Sequence, residues 1–360
     1  MRRKKDNEIS QILKLIAPGT PIRDGLENIL RAKTGALLLI TDNNDVLKEI
    51  VDGGFTINEE YSSSKLYELA KMDGAIVLSG DFKKILFANA QLIPSHNIQT
   101  LETGTRHRTA ERTAKQTGEL VISISQRRNI ITIFKGNERY ILENTNTVLN
   151  KANQAIQTLE RYKKVFDSKL NTLNEYEFND IVTLQNVIVA IQRAEMVMRI
   201  AEEIEDNISE LGSDGRLARM QLEELLGDIE TEELLIIKDY MIKKRKKSQI
   251  EDILQQLSVL SYEELNNENS IAKILGYEMF ENFDEVGVYT KGYRILNKIP
   301  RMPSTIVENL ISSFKSFQHI LAADIEHLDE VEGIGEVRAR TIKQALNRMQ
   351  EQFVFDNLLI

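Results

Sequence analysis

Two short strings in the first third of the chain carry residue types that handle phosphate: Asp73-Gly74-Ala75, and Gly104-Thr105-Arg106-His107-Arg108-Thr109-Ala110. A helical pattern opens at the second string and runs to about Thr117, which puts three cation-capable side chains at a helix N-terminus. There they oppose the helix dipole, whose positive end favours anions, so the arrangement calls for a neutralising ligand. A triphosphate has that chemistry; a salt-bridged surface is the plain alternative. Asp73 beside Gly74 offers a carboxylate for a divalent cation where the backbone admits a ligand, although Asp-Gly is also an ordinary turn. Consecutive side chains of a helix point about 100° apart, so Arg106, His107 and Arg108 cannot all enter one pocket from one regular helix. Either the string lies in the turn before the helix, or part of it reaches a neighbouring subunit.

A third string lies near the C-terminus, where Leu328, Val331, Gly333-Ile334-Gly335 and then Arg338, Arg340 and Lys343 follow one another. Its pattern resembles the helix-hairpin-helix motif. Two glycines let the backbone turn sharply and approach a phosphate, Ile334 fills the core beneath, and free N–H groups open the next helix. Ile299-Pro300-Arg301-Met302-Pro303, followed by helical periodicity, is a weaker second copy. Such contacts go to phosphate and cannot read sequence. Asp329, Glu330 and Glu332 would keep binding to DNA modest and salt-sensitive. A plain glycine turn between packed helices is the alternative.

These strings need elements to position them. At 360 residues the chain is long enough for two or three domains. A net charge of −9 argues against nucleic acid over the whole surface, so any DNA contact is expected on one small region. The absence of cysteine excludes disulfides and thiolate chemistry, and the four histidines show no metal-ligand spacing on one helix. Any metal is therefore expected to be a hard cation on oxygen ligands. The basic start Met1 to Lys5 is followed by acidic and amphipathic sequence rather than an apolar core, and no run approaches a membrane span. A cytoplasmic protein without membrane contact is expected.

Residues 9–143 mix apolar runs with helical periodicity. Strands are expected at 35–40, 75–78, 85–87, 120–124, 130–134 and 140–142, with Gly136-Asn137 closing a hairpin. Thr20-Pro21 opens a helix as cap and first residue. The fold class is an α/β domain with a mixed sheet, then an all-α helical spine, then a helix-hairpin-helix domain. Long helices are expected over 148–170, 181–204 and 217–242, broken at 171–179 and at 212–215. The basic run 243–247 reads as a helix C-terminal cap, or as a nucleic-acid contact. Residues 266–292 read as a linker region.

The pair Asp73-Gly74-Ala75 and Arg106-His107-Arg108 resembles the paired signature of the diadenylate cyclase family. The segments from Ala17 to Arg23, Val51 to Phe55, Leu66 to Asp73 and Lys151 to Gln157, with the order of the three regions, resemble its DNA-integrity-scanning members. The resemblance implies domains at 1–143 (cyclase), 144–285 (helical spine) and 286–360 (helix-hairpin-helix). It implies that two ATP molecules become cyclic di-AMP and two pyrophosphates, with heads meeting face to face in an octamer. Asp73 would direct Mg²⁺ or Mn²⁺ and help activate the 3′-hydroxyl. Gly74 and Leu92 would line base and ribose, Thr105, Arg106, His107, Arg108 and Thr109 would hold phosphates, and Ser125 would touch the terminal ones. Arg301, Gly333, Gly335, Arg338, Arg340 and Lys343 would contact branched or damaged DNA, which would regulate the head. Gln126 stands where the family often has an acid, so no role passes to it. The rival reading is a DNA-binding repair accessory whose head only senses nucleotide.

Overall fold

Apolar runs of five or six residues with turn signals at both ends leave little choice but buried strands, and the centre of the first region is built from them. The computed structural model describes residues 8–242 and 248–356. In chain order the first region holds α1 (Glu8–Leu15), α2 (Pro21–Arg31), β1 (Ala36–Ile40), α3 (Asn44–Ile50), β2 (Val51–Asp52) and β3 (Phe55–Glu60). It continues with α4 (Ser63–Leu69), β4 (Ala75–Leu78), β5 (Lys84–Leu92), α5 (Thr105–Thr117), β6 (Leu120–Ser125), β7 (Ile130–Lys135) and β8 (Glu138–Leu142). The strands form one sheet in the order β2-β5-β4-β1-β6-β7-β8, with β3 also paired to β5. β1 and β4 are parallel and the other pairs antiparallel, so the sheet is mixed, as expected.

Alternation along the strands feeds two cores. Leu38, Ile76, Ile122 and Ile133 face Leu26 and Ile29 of α2 and Leu66 of α4. Leu39, Val77, Val121 and Phe134 face Val46 and Ile50 of α3 and Ala110 and Ala114 of α5. The small alanines let α5 lie close on the sheet. Thr20 caps α2 by accepting from the Arg23 N–H, and Pro21 follows. The Gly136-Asn137 turn joins β7 to β8 through the Lys135–Glu138 pair. β5 outruns its expected extent, and β3 was not expected at all. Its sequence, Phe-Thr-Ile-Asn-Glu-Glu, is polar because this edge strand is exposed along most of its length.

The helices that follow are α6 (Thr145–Asn179), α7 (Leu184–Leu211), α8 (Arg216–Leu226), α9 (Ile229–Tyr240), α10 (Ser248–Val259), α11 (Tyr262–Leu265) and α12 (Glu268–Leu275). The last are α13 (Tyr293–Asn297), α14 (Ser304–Phe314), α15 (Phe317–Ala322), α16 (Ile325–Asp329) and α17 (Glu336–Asp356). Three expectations need correction. The break at 171–179 does not exist, because Leu173, Asn174, Glu177 and Phe178 are buried on the helix and give the polar stretch a tertiary role. The helix expected at 217–242 is two, divided near Gly227, whose φ is 42°. The linker at 266–292 contains α12, capped by Asn267, and a bridge from Gly287 to Thr183. The basic run 243–247 and the basic start Met1 to Lys5 lie outside the described residues.

The chain divides into two compact units, residues 5–154 with 204–220, and residues 155–203 with 221–360. The second has its own core around Leu296, Leu310, Phe317, Leu328 and Ile342, and Phe178 meets Phe317 edge to face at 5.2 Å. Beneath it, Arg294 is fully buried and donates to Asn174 and Glu177, with Glu232 at 3.6 Å. Asp239 accepts from the N–H groups of Gly292, Tyr293 and Arg294, which fixes the start of α13. Among the described residues no helix is long and apolar enough to cross a membrane.

Candidate functional site

Strand directions gather the phosphate-type residues at one end of the sheet. β1 and β4 begin there while β5 and β6 end there, as the pairs Leu38↔Ile76, Ala75↔Ala90 and Ala36↔Ile124 require. Asp73 and Gly74 lead into β4, Leu92 ends β5, Ser125 ends β6, and α5 starts at the same end. Gly74 has φ 89°, and a Cβ there would lie 2.8 Å from the Ala90 carbonyl oxygen and 2.9 Å from the backbone of Asn89. Only glycine lets this turn press onto β5, and it leaves Asp73 exposed at the sheet end.

The Arg-His-Arg string occupies the first turn of α5 itself, not the turn before it, and the helix divides its side chains. The N-cap, Gly104, offers no side-chain cap. Arg106 lays its guanidinium across the start of β1, with Nη1 donating to the Ile124 carbonyl at 3.4 Å. Gly35 makes that possible, since a Cβ there would sit 1.8 Å from Arg106 Nη1. His107 turns inward, 7% exposed, and shares a 3.3 Å hydrogen bond between Nδ1 and Ser123 Oγ. Burial pulls its pKa below the ordinary 6.5, which favours the neutral ring. Thr105 and Arg108 are exposed and Thr109 is half-buried. The string thus presents Thr105, Arg106 and Arg108 outward and uses His107 to seat the helix. Leu92 is 7% exposed, with its side chain in the α3–α5 core.

The approach to α5 is clamped by residues that sequence reasoning missed. Glu102 accepts from Arg139 Nε at 2.5 Å and pairs with Arg128 at 3.9 Å. Arg128 also donates to Thr103 Oγ1 at 2.7 Å, and its backbone N–H donates to Ser125 Oγ at 3.2 Å. Thr100 donates to Glu111, and Arg112 Nε donates to the Ile98 carbonyl at 2.9 Å. These partners are scattered between residues 98 and 139, so no local pattern announces them.

In the C-terminal region α16 and α17 flank a turn in which Gly333 has φ 84°. A Cβ on Gly333 would meet Ile306 Cδ1 at 2.7 Å, whereas one on Gly335 would meet nothing within 4 Å. Ile334 is buried beneath the turn. Arg338 donates to the Gly333 carbonyl, and Arg340 is bridged to Glu336 at 2.6 Å. Lys343 donates to the carbonyls of Leu321 and Ala323, each at 2.7 Å, which ties it to the end of α15. Arg301 is exposed in the turn between α13 and α14, with φ 59°.

Among the described residues no group of three or more acidic or histidine side chains could hold a metal ion. A divalent cation here would take Asp73 as one ligand and complete its shell with nucleotide phosphate and water, the usual habit of Mg²⁺.

The chain matches two family models in succession: "DisA bacterial checkpoint controller nucleotide-binding" over residues 23–139, and "DisA bacterial checkpoint controller linker region" over 142–283. The DNA integrity scanning protein DisA of Clostridium botulinum (strain Loch Maree) is 55% identical over 358 residues, covering 99% of this chain and all of the relative. That of Clostridioides difficile (strain 630) is 56% identical over 344 residues, 96% of each chain. That of Acetivibrio thermocellus is 55% identical over 355 residues, covering 99% of this chain and 98% of the relative. Near-complete coverage at this identity shows that the chain belongs to the DNA integrity scanning protein DisA family.

Proposed function

We propose that this chain condenses two ATP molecules into cyclic di-AMP with release of two pyrophosphates, and that its C-terminal region binds DNA and regulates that reaction. The chain is a diadenylate cyclase by family, so a head that only senses nucleotide loses its support. The observation that carries the site assignment is the convergence of Asp73, Arg106 and Ser125 at one sheet end, with Gly35 kept small for the arginine.

In the proposed reaction the 3′-oxygen of each ATP forms a bond to the α-phosphorus of the other, and at each phosphorus the bond to the α,β-bridging oxygen breaks, so that two pyrophosphates leave. The 3′-hydroxyl proton passes through Asp73 to solvent. Arg106, Arg108, Thr105, Thr109 and Ser125 hold phosphate oxygens in line and offset the charge that builds on them. Gly74 and the Leu92 backbone border the nucleoside. His107 acts as a positioning residue by locking the first turn of α5 onto Ser123. A bound Mg²⁺ or Mn²⁺ supplies charge neutralisation at the phosphates.

One head presents one such sheet end, so closing the ring needs two heads face to face; an octamer would supply those pairs. Domains of 1–143, 144–285 and 286–360 fit this division of labour. The tail reading rests on α16, the Gly333 turn and α17 as a helix-hairpin-helix. Open space at Gly335 lets a DNA phosphate approach the first N–H groups of α17. Arg301, Arg338 and Arg340 add charge, while Lys343 acts mainly on α15. The test is ATP incubation with product analysis, and the same assay with branched DNA added. Cyclic di-AMP that falls on DNA addition is expected; no product would overturn the reading.

A further inference from the structure

A cavity of about 450 Å³ in the first unit lies on the α2 side of the sheet between α2, the β6–β7 turn and the start of α6. Its wall carries three cations, Arg23, Arg31 and Lys33. Glu27 is shared between two of them, accepting from Arg23 Nε at 2.8 Å and from Arg31 Nη2 at 2.9 Å. The other carboxylate of the wall, Glu143, is held by both oxygens at 2.7 Å from Lys151, which is not part of the wall. One available carboxylate for three cations leaves a net of two positive charges on the wall.

Two observations point to a ligand there. The first is Arg23, whose side chain is only 6% exposed. Its Nη2 reaches Thr145 Oγ1 at 3.4 Å, but its buried Nη1 has no hydrogen-bonding partner. A buried guanidinium nitrogen without an acceptor is costly, and an anion in the cavity removes the cost. The second is the start of the 35-residue α6 at Thr145, in the same wall. Asn144 already accepts from the N–H groups of Asn146, Thr147 and Val148, so what this helix start offers an anion is its positive potential rather than those donors.

We infer that this cavity is a second anion site, separate from the sheet-end site, that takes a phosphate-type dianion between Arg23, Arg31, Lys33 and the start of α6. The inference stands independently of the cyclase reading. It also has a route to the sheet end. Asn129 lines the cavity and donates its backbone N–H to the Ser125 carbonyl at 2.9 Å, so one short turn borders both places.

The test is titration of the full-length chain with inorganic phosphate and, separately, with AMP, followed by calorimetry. Arg31 and Lys33 are exposed, so Arg31→Gln/Lys33→Asn should fold normally, and asparagine tolerates the φ of 53° at position 33. The double variant is expected to weaken phosphate binding by about tenfold or more, while Arg106→Ala leaves that binding intact. AMP binding that falls equally in the double variant identifies a nucleotide phosphate as the occupant. Phosphate binding without AMP binding identifies a free anion, and either result supports the site. No phosphate binding by the wild type, an unchanged affinity in the double variant, or loss confined to Arg106→Ala would overturn it.

Discussion

The two units treat an arginine in opposite ways. Arg294 in the second unit is fully buried and met by Asn174, Glu177 and Glu232, so its charge is spent inside the protein. Arg106 in the first unit is exposed, and its guanidinium donates to the Ile124 carbonyl at 3.4 Å. The fold even withholds a side chain at Gly35 to keep the guanidinium in place. An arginine paired with buried carboxylates holds structure together, whereas the one with a single carbonyl partner at the start of a helix is, in the proposed site, the group that meets an anion. The contrast predicts that mutation of the first affects stability and mutation of the second affects chemistry.

The largest expected effect is on stability. Arg294→Met leaves Glu177 buried without its cation, and breaking a buried pair in this way costs about 3–5 kcal/mol. Denaturant unfolding should show the loss in the second unit; a loss below about 1 kcal/mol would mean that the pair is dispensable. Next is Arg106→Ala, expected to lower cyclase turnover by about 10²–10³-fold, the range for removing one charge-stabilising donor. Its unfolding midpoint should stay at the wild-type value, and a falling midpoint would make Arg106 structural as well. Gly335→Leu is expected to reduce DNA affinity by roughly tenfold, with basal turnover unchanged, because its Cβ position faces open space. Gly333→Leu should weaken DNA binding too, but through strain at φ 84° and contact with Ile306. Normal DNA binding by both variants would remove the tail assignment.

The smallest effect is on pH dependence. Burial holds the His107 pKa below 6.5 in the fold, while the unfolded chain keeps the ordinary value. The unfolded state therefore takes up the proton first, so this stability is complete above pH 6.5 and declines as pH falls through 6.5 toward the folded value. His107→Gln should flatten the acid side of the stability profile of the first unit. Parallel profiles for wild type and variant would show that the ring titrates freely.

The same contrast explains what could be read from the sequence. β1, β4, β6 and β7 were legible because burial on both faces demands continuous apolar runs. β3 was not, because an exposed edge strand needs no such run. The stretch 171–179 looked like a break because Asn174 and Glu177 are polar, and their partner Arg294 lies more than a hundred residues away. The strings of the candidate site stand out in the sequence by residue type, but their sharing of one sheet end does not. Strand order decides that, together with the fit of Arg106 over Gly35. Helical geometry did foretell that the string would split, and His107 is the member turned inward.

The proposed nucleotidyl transfer site pairs an exposed carboxylate, Asp73, with an under-partnered arginine, Arg106, at one sheet end. Incubating the full-length chain and Asp73→Asn with ATP and Mn²⁺, and analysing the nucleotide products, tests it most directly. The wild type should form cyclic di-AMP and pyrophosphate, and Asp73→Asn should form neither while unfolding at the wild-type midpoint. Cyclic di-AMP from Asp73→Asn at the wild-type rate would contradict the account.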